Sequence, residues 1–166
     1  MTYPQTKAAL QRLLTDGIVP GVSYAFVDGD RVETGEMGQA AVVPHSEILR
    51  PGMVYDVASL TKVVGTLSVT LQLLAQGRLR LTDSLSDWLP AWQDRRVTVR
   101  HLLTHTSGII GYIPNRNQLS APDLTAALLR LHVGPTFNRK MVYADVNYIF
   151  MGWILSLIHI SEPTRP

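Results

Sequence analysis

Val54-Tyr55-Asp56-Val57-Ala58-Ser59-Leu60-Thr61-Lys62 leads into Val63–Gln76, a stretch without a single charged residue. Met53 to Ala58 is short and β-prone. The spacing then predicts a helix from about Ser59 to Gln76, closed by Gly77. Val63, Val64, Leu67, Val69, Leu71, Leu73 and Leu74 surround that helix. A helix that is apolar on every side belongs at the centre of a domain. Ser59 and Lys62 break the apolar rule at its first turn and need a reason to be there.

The reason can be chemical. At a helix start, unpaired N–H groups and the helix dipole stabilise negative charge on an attacked carbonyl. Lys62 lies three positions on, on the same helix face as Ser59. A serine hydroxyl is a poor nucleophile until a base takes its proton. A lysine at the end of a buried helix can serve, because desolvation favours its neutral form. Ten serines and three lysines in 166 residues produce about 0.2 Ser-x-x-Lys matches by chance, so the spacing alone is only suggestive. The plainer alternative makes Ser59 an N-cap and Lys62 a surface lysine. It handles Ser59 well and Lys62 poorly, since the next turns are wholly apolar.

Upstream, Pro4 sits near the start of a helix with Leu10, Leu13 and Leu14 on one face, and Gly17 is placed to end it. Val22 to Val27 is β-prone, Asp28-Gly29-Asp30 is a hairpin turn signal, and Arg31 to Thr34 returns as the partner strand. Gly35 to Pro51 is irregular, with a short strand at Ala40 to Val43. Downstream, short helices are expected at Ser84 to Leu89 and Val99 to Thr104, followed by a loop from Gly108 to Leu119. Ser120-Ala121-Pro122-Asp123 caps a helix through about Leu131. Val142 to Ala144 reads as extended, and Asp145 N-caps a final apolar helix, Val146 to Ile154. Strands at one end and then helices, without regular alternation, indicate an α+β fold.

Composition excludes other classes. The chain is 46% hydrophobic and 17% charged, which rules out a disordered or collagen-like chain. Its net charge is +2, and twelve of its fifteen cations are scattered arginines. No basic run would neutralise a row of phosphates, so nucleic acid is not an expected partner. Cysteine is absent, which removes disulfides, thiolate metal sites and a cysteine nucleophile. The start lacks a basic segment followed by an apolar one, and no stretch of roughly 18 apolar residues exists. The chain therefore reads as soluble and cytoplasmic. Leu155-Ser156-Leu157-Ile158-His159-Ile160-Ser161-Glu162-Pro163-Thr164-Arg165 resembles the translation of a transposon-end adapter used in library preparation. The expected organisation is residues 1–154 as the native part and 155–166 as a non-native tail.

Tyr143-Ala144-Asp145 is the second candidate group. A phenol there can bond Lys62 or relay a proton. Taken alone, Tyr143 is better read as a half-buried strand aromatic and Asp145 as a helix cap. His101 and His105 stand at the i, i+4 spacing of a zinc pair, but Leu102 replaces the glutamate of His-Glu-x-x-His and no third ligand follows at short range. No metal and no cofactor are expected. The fitting reading is that Leu102 and Leu103 pack while the histidines bond loop backbone.

Together these pieces resemble the serine β-lactamase-related family, which includes class C β-lactamases, D-alanyl-D-alanine carboxypeptidases and related esterases. Val54 to Lys62 is similar to its nucleophile segment. Gly77-Arg78-Leu79-Arg80-Leu81-Thr82-Asp83 with Trp88-Leu89-Pro90 resembles the next segment. Val97-Thr98-Val99-Arg100-His101-Leu102-Leu103-Thr104-His105-Thr106-Ser107-Gly108 is the most specific stretch. Tyr143-Ala144-Asp145 with Phe150-Met151-Gly152 falls where the family has Tyr-x-Asn and the following helix. The resemblance spans about Gly21 to Ile154.

The resemblance implies a β-lactamase/transpeptidase-like fold, an antiparallel sheet flanked by helices plus a helical subdomain, here without its C-terminal strands. It implies that Ser59 is acylated by an amide or ester carbonyl of a small molecule or peptide. Lys62 and Tyr143 are the catalytic partners, with the choice of base left open, and Asp145 is in the substrate-binding position. The Ser59 N–H would supply half of an oxyanion hole. Three departures stand out. Asp145 replaces Asn, and a carboxylate there is placed to hold Lys62 protonated. Gly134-Pro135 stands where the family often has Pro-Gly. The family's downstream Lys/His-Thr/Ser-Gly strand, the other half of the oxyanion hole, is missing.

The leading expectation is thus an N-terminal fragment of a serine hydrolase, inactive alone, acting on a β-lactam, a D-Ala peptide or a small ester. An intracellular esterase or peptidase-like hydrolase fits the start of the chain better than an exported one. The alternative is a non-catalytic penicillin-binding-like homologue that binds peptidoglycan-type peptides or another partner. A small helical interaction domain would instead fold cooperatively as residues 1–154. The expectation is the opposite, an aggregation-prone piece, because the hairpin edge and apolar helix lack cover. Resequencing the locus is expected to show other codons after Ile154 and, further on, a Lys/His-Thr/Ser-Gly strand; native codons through Arg165 would refute the adapter reading.

Overall fold

The computed structural model describes residues 3–160, with side chains through Ile158. Their contacts form two compact units, one ending at Asp56 and the other beginning at Val57. Residues 161–166, the end of the adapter-like stretch, lie outside the described residues.

In the first unit, helix α1 spans Pro4–Thr15, with proline in its first turn. Gly17 takes φ 68° and donates to the Leu14 carbonyl, and Ile18 donates to Leu13, so the last carbonyls are satisfied as the chain turns away. Strands β1 (Gly21–Asp28) and β2 (Arg31–Ala41) pair antiparallel, from Gly21 opposite Gly38 to Asp28 opposite Arg31. Gly29 at φ 58° supplies the two-residue turn. β3 (Glu47–Ile48) joins the far edge of β2, in the order β1-β2-β3. At Gly38 a Cβ would lie 2.4 Å from Leu14 Cδ2 and 2.3 Å from the Pro20 carbonyl oxygen. Only glycine lets α1 and the sheet approach this closely. The return strand is longer than Arg31 to Thr34 and absorbs the Ala40 segment. A hairpin ladder, once started, satisfies each successive backbone pair at little added entropic cost.

The second unit is helical. Ser59 sits in a turn where Leu60, Thr61 and Lys62 donate to the carbonyls of Val57, Ala58 and Ser59. A π-helical segment, Lys62–Leu67, follows, and then helix α2, Ser68–Ala75. Met53 to Ala58 forms no strand, because no neighbouring strand among the described residues offers it a ladder. Short helices α3 (Leu85–Trp88) and α4 (Val99–Leu103) begin at Ser84 and Thr98. The Ser84 N–H is held by the Asp87 carboxylate, and the Thr98 N–H by His101 Nδ1. α5 spans Ala121–Leu129, its start capped by Ser120. α6 spans Asp145–Ile160 and passes unbroken through Leu155, with Ile158 buried.

The core of this unit joins α6 to α4 and to the segment that leads into it from α3. Phe150, Met151 and Ile154 are fully buried with Trp92, Val97, Val99 and Leu102. Trp92 meets Phe150 edge-on at 5.3 Å. Gly108 follows α4 at φ 64°, where a Cβ would lie 2.6 Å from the Phe137 nitrogen, so glycine is again required. Ile110 donates to His132 and Gly134 to Gly108, stitching that loop to the residues after α5.

The expected position of the apolar helix is corrected. Only Thr70 and Leu73 of α2 are buried, while Val64 is 72% exposed and Leu71 56% exposed. The apolar surface goes all the way round, but the neighbouring helices cover only part of it. No helix of the described residues is long and apolar enough to cross a membrane.

Leu102 and Val64 should respond in opposite ways to truncation. Leu102→Ala, at a fully buried site, is expected to cost about 3 kcal/mol. Val64→Ala is expected to change stability by less than about 0.5 kcal/mol and to reduce light scattering. Urea titrations of the chain, with scattering recorded alongside, check both.

Candidate active site

The start of the π-helical segment and the start of α6 bring the expected residues together. Ser59 Oγ lies 2.7 Å from the Tyr143 hydroxyl. Lys62 Nζ lies 3.2 Å from Ser59 Oγ and 2.8 Å from Asp145 Oδ1. It also stands 5.3 Å from the Tyr143 ring centroid and 5.9 Å from that of Tyr148. Four residues separated by up to 86 positions thus share one constellation.

Local backbone sets each of them. Ala58 takes φ 43°, a left-handed conformation costly for a residue with a Cβ, at the position just before Ser59. One turn on, Lys62 begins the π-helical segment, a widened geometry often found beside functional residues. Tyr143 sits in the extended stretch leading into α6, and Asp145 is the first residue of that helix.

Charge decides the protonation states. The hydrogen bond to Asp145, then that to Tyr143, raises Lys62 above the ordinary lysine value and outweighs desolvation. The expectation of a neutral amine is therefore reversed, in the way the Asp-for-Asn departure implies. Lys62 in turn lowers Asp145. Tyr143 is lowered as well, first by its hydrogen bond with Lys62 and then by that with Ser59. An ammonium group has only donors. Lys62 Nζ must therefore donate to Ser59 Oγ, while across the 2.7 Å contact of Ser59 with Tyr143 either hydroxyl can be the donor.

His101 and His105 part company. His101 serves the α4 start. His105, at φ 55°, receives the Ala144 N–H at 3.3 Å and meets the Asn147 amide at 3.0 Å, both at Nδ1. Its ring stacks on Tyr148 at 5.2 Å and tilts against Tyr143 at 4.6 Å. Both histidines bond backbone, and Leu102 packs as expected. Sequence reasoning passed over Asn147 and Ser107, each 1% exposed and bonded to each other at 2.5 Å. The signal was available: Asn147 interrupts an otherwise apolar helix, the same anomaly that drew attention to Lys62. Beside Tyr143 and Asp145 lies a groove of about 590 Å³, lined by Ile110, Tyr112, Leu124 and Ile149, with Arg116 the cation among its lining residues.

A family model described as Beta-lactamase matches residues 6–158. Protein flp of Staphylococcus aureus (strain COL) is 27% identical over 174 residues, covering 97% of this chain and 34% of its own length. A penicillin-binding protein of Bacillus subtilis (strain 168) is 38% identical over 144 residues, covering 81% of this chain and 32% of its own length. A solved class C beta-lactamase in complex with cefoxitin superposes with a TM-score of 0.78 at 22% identity, over 92% of this chain and 43% of that one. A D-amino acid amidase from Ochrobactrum anthropi SV3, complexed with L-phenylalanine, gives 0.70 at 22% identity, over 93% and 45%. The shared feature is the β-lactamase/transpeptidase-like fold of helices and antiparallel sheet. The chain spans about a third of the curated relatives' length and under half of the solved structures.

Asp145→Asn tests the charge arrangement. The raised Lys62 contributes stability that is fully present below the ordinary value of 10.5 and lost as pH rises through its folded value. The lowered Asp145 contributes stability present above 3.8 and lost as pH falls through its folded value. With Asp145 71% exposed, the pair is worth at most about 1 kcal/mol. In Asp145→Asn the Lys62 titration should move down, and the acid-side loss of stability from this pair should disappear. An NMR titration of Lys62 and urea midpoints between pH 3 and 7 check these outcomes.

Proposed function

The chain belongs to the beta-lactamase family, and from that membership and the geometry around Ser59 we propose that it is the N-terminal part of a serine hydrolase acting through an acyl-enzyme. The observation that carries this reading is the 2.7 Å contact of Ser59 Oγ with Tyr143, made while Lys62 donates to the same oxygen. On this reading Tyr143, held toward its ionised form by Lys62, takes the Ser59 proton as Oγ bonds to the substrate carbonyl carbon. The negative charge moves to the carbonyl oxygen, beside the Ser59 N–H. Tyr143 then returns the proton to the departing nitrogen or oxygen as that bond breaks. Water, activated by the same phenolate, releases the acid and regenerates Ser59. Lys62 remains a cation throughout. It stabilises the phenolate rather than acting as the base, because Asp145 holds its proton.

The proposed substrates are amides, lactams or esters. The structural neighbours are described with cefoxitin and with an amino acid amide-cleaving activity, which fits that range. On the same proposal, the second oxyanion donor and the cover over Val63, Val64 and Leu71 belong to further residues of a longer gene product.

A second reading draws on the Lys62–Asp145 pair. If that charge arrangement also quenches the phenolate, the protein binds peptidoglycan-type peptides without turning them over. The test is expression of the gene's complete reading frame and assay with nitrocefin and p-nitrophenyl esters. Ser59→Ala is expected to lose activity by about 10⁴-fold or more, and Tyr143→Phe by about 10²- to 10³-fold. The rate should rise with pH through the lowered Tyr143 titration, below 10, and fall again as Lys62 deprotonates above 10.5. Equal rates for wild type and Ser59→Ala would sink the hydrolase reading; peptide binding without turnover would favour the second.

A further inference from the structure

His105 holds the chain on both sides of Tyr143. Its carbonyl oxygen accepts the Val142 N–H at 2.9 Å, and its Nδ1 accepts the Ala144 N–H at 3.3 Å. The backbone N–H groups of the two residues on either side of Tyr143 thus end on one histidine, whose ring also lies 4.6 Å from the Tyr143 ring. His105 takes a left-handed φ of 55° where its carbonyl and its side chain both meet the extended stretch before α6.

A buried relay fixes how that imidazole is protonated. The Ile109 N–H donates to Ser107 Oγ at 3.2 Å, and Ser107 donates to Asn147 Oδ1 at 2.5 Å. That assigns the Asn147 amide nitrogen to the side facing His105 Nδ1, 3.0 Å away. With the Ala144 N–H aimed at the same atom, Nδ1 must be an acceptor, because a proton there would face two donors. The ring proton is therefore on Nε2 and the imidazole is neutral. Burial, and after it the nearby Lys62 cation, also lowers His105 below the ordinary histidine value.

We propose that His105, oriented by Asn147 and Ser107, is the positioning residue that holds Tyr143 within reach of Ser59 and Lys62. It touches neither the nucleophile nor a substrate; it acts through the backbone and ring of Tyr143. The role rests on the hydrolase reading only in so far as Tyr143 is the base. The placement of Tyr143 beside Lys62 is a separate, measurable property.

Two substitutions divide the functions of the ring. His105→Phe keeps a flat ring but removes the acceptor. His105→Asn removes the ring but keeps an acceptor near the Nδ1 position and tolerates a left-handed backbone. In the complete gene product, His105→Phe is expected to lower the acylation rate about 10²-fold, the scale of a misplacement near 1 Å, with KM changed less than about twofold. His105→Asn should recover about tenfold of that loss. A purely structural role would predict no such recovery, since asparagine fills the ring's space worse than phenylalanine does.

The second readout needs no turnover. With ¹³C-labelled tyrosine and Tyr143→Phe to assign the resonance, Tyr143 should titrate closer to 10 in His105→Phe than in wild type, because the phenol drifts from Lys62. If wild type proves inactive but this titration still moves, the positioning role stands while the hydrolase reading fails. If both variants, folded by circular dichroism, leave the Tyr143 titration and the acylation rate within about threefold of wild type, the proposal is overturned. Should His105→Phe fail to fold, Ser107→Ala, which unfixes the Asn147 amide, is expected to move the Tyr143 titration the same way; no movement there would equally overturn it.

Discussion

The packing of α6 against the Trp92–Leu102 region is the constraint on which the site depends. Phe150, Met151 and Ile154 have no exposed surface, so the helix cannot slide or rotate without opening cavities that cost several kcal/mol. Asp145 is the first residue of that helix, and Tyr143 stands two residues before it. Once α6 is seated, the position of the phenol is decided to within the freedom of two residues. The His105 contacts remove what freedom remains. A core of ordinary aliphatic and aromatic side chains thereby sets the 2.7 Å approach of Tyr143 to the Ser59 hydroxyl, while the 3.2 Å approach of Lys62 comes from the local turn.

Electrostatics then distributes the protons. Lys62 sits among three oxygen-bearing side chains, and its cation is favoured more by Asp145 than it is penalised by partial burial. The pair is too exposed to matter much for stability. On the proposed mechanism its consequence is chemical: a lysine kept charged is a donor only, which leaves the phenol to receive the serine proton. An asparagine at 145 would bond the amine without holding its charge. On that proposal the single carboxylate shifts work from the amine to the phenol.

The exposed apolar surface has a similar logic at larger scale. The π-helical segment and α2 carry aliphatic side chains on all sides, yet the helices of this unit cover only the Leu73 side. The strand edge of β1, paired on one side among the described residues, belongs to the same pattern. Both are surfaces whose sequence is suited to burial on more sides than the described residues provide.

Much was legible in the residues themselves. Local rules placed the hairpin at Asp28-Gly29-Asp30, the short helix near Ser84, the capped start at Ser120, and the helix after Asp145, because turns and caps are determined within a few residues. Ser59 and Lys62 were visible as polar residues set against apolar surroundings, Tyr143 through its place beside Asp145 in a motif, and the order of motifs carried the family. The sequence did not show that Met53 to Ala58 would stay out of a sheet, or that half of an apolar helix would be exposed, since both depend on what lies opposite. Nor did it settle the state of Lys62, which desolvation pulls one way and Asp145 the other. The sequence by itself determined which groups are present and which backbone turns carry them. The tertiary structure alone decided which of them meet, and so which holds the proton, because hydrogen bonds and ion pairs act over a few ångströms whereas these residues lie more than eighty positions apart in the chain.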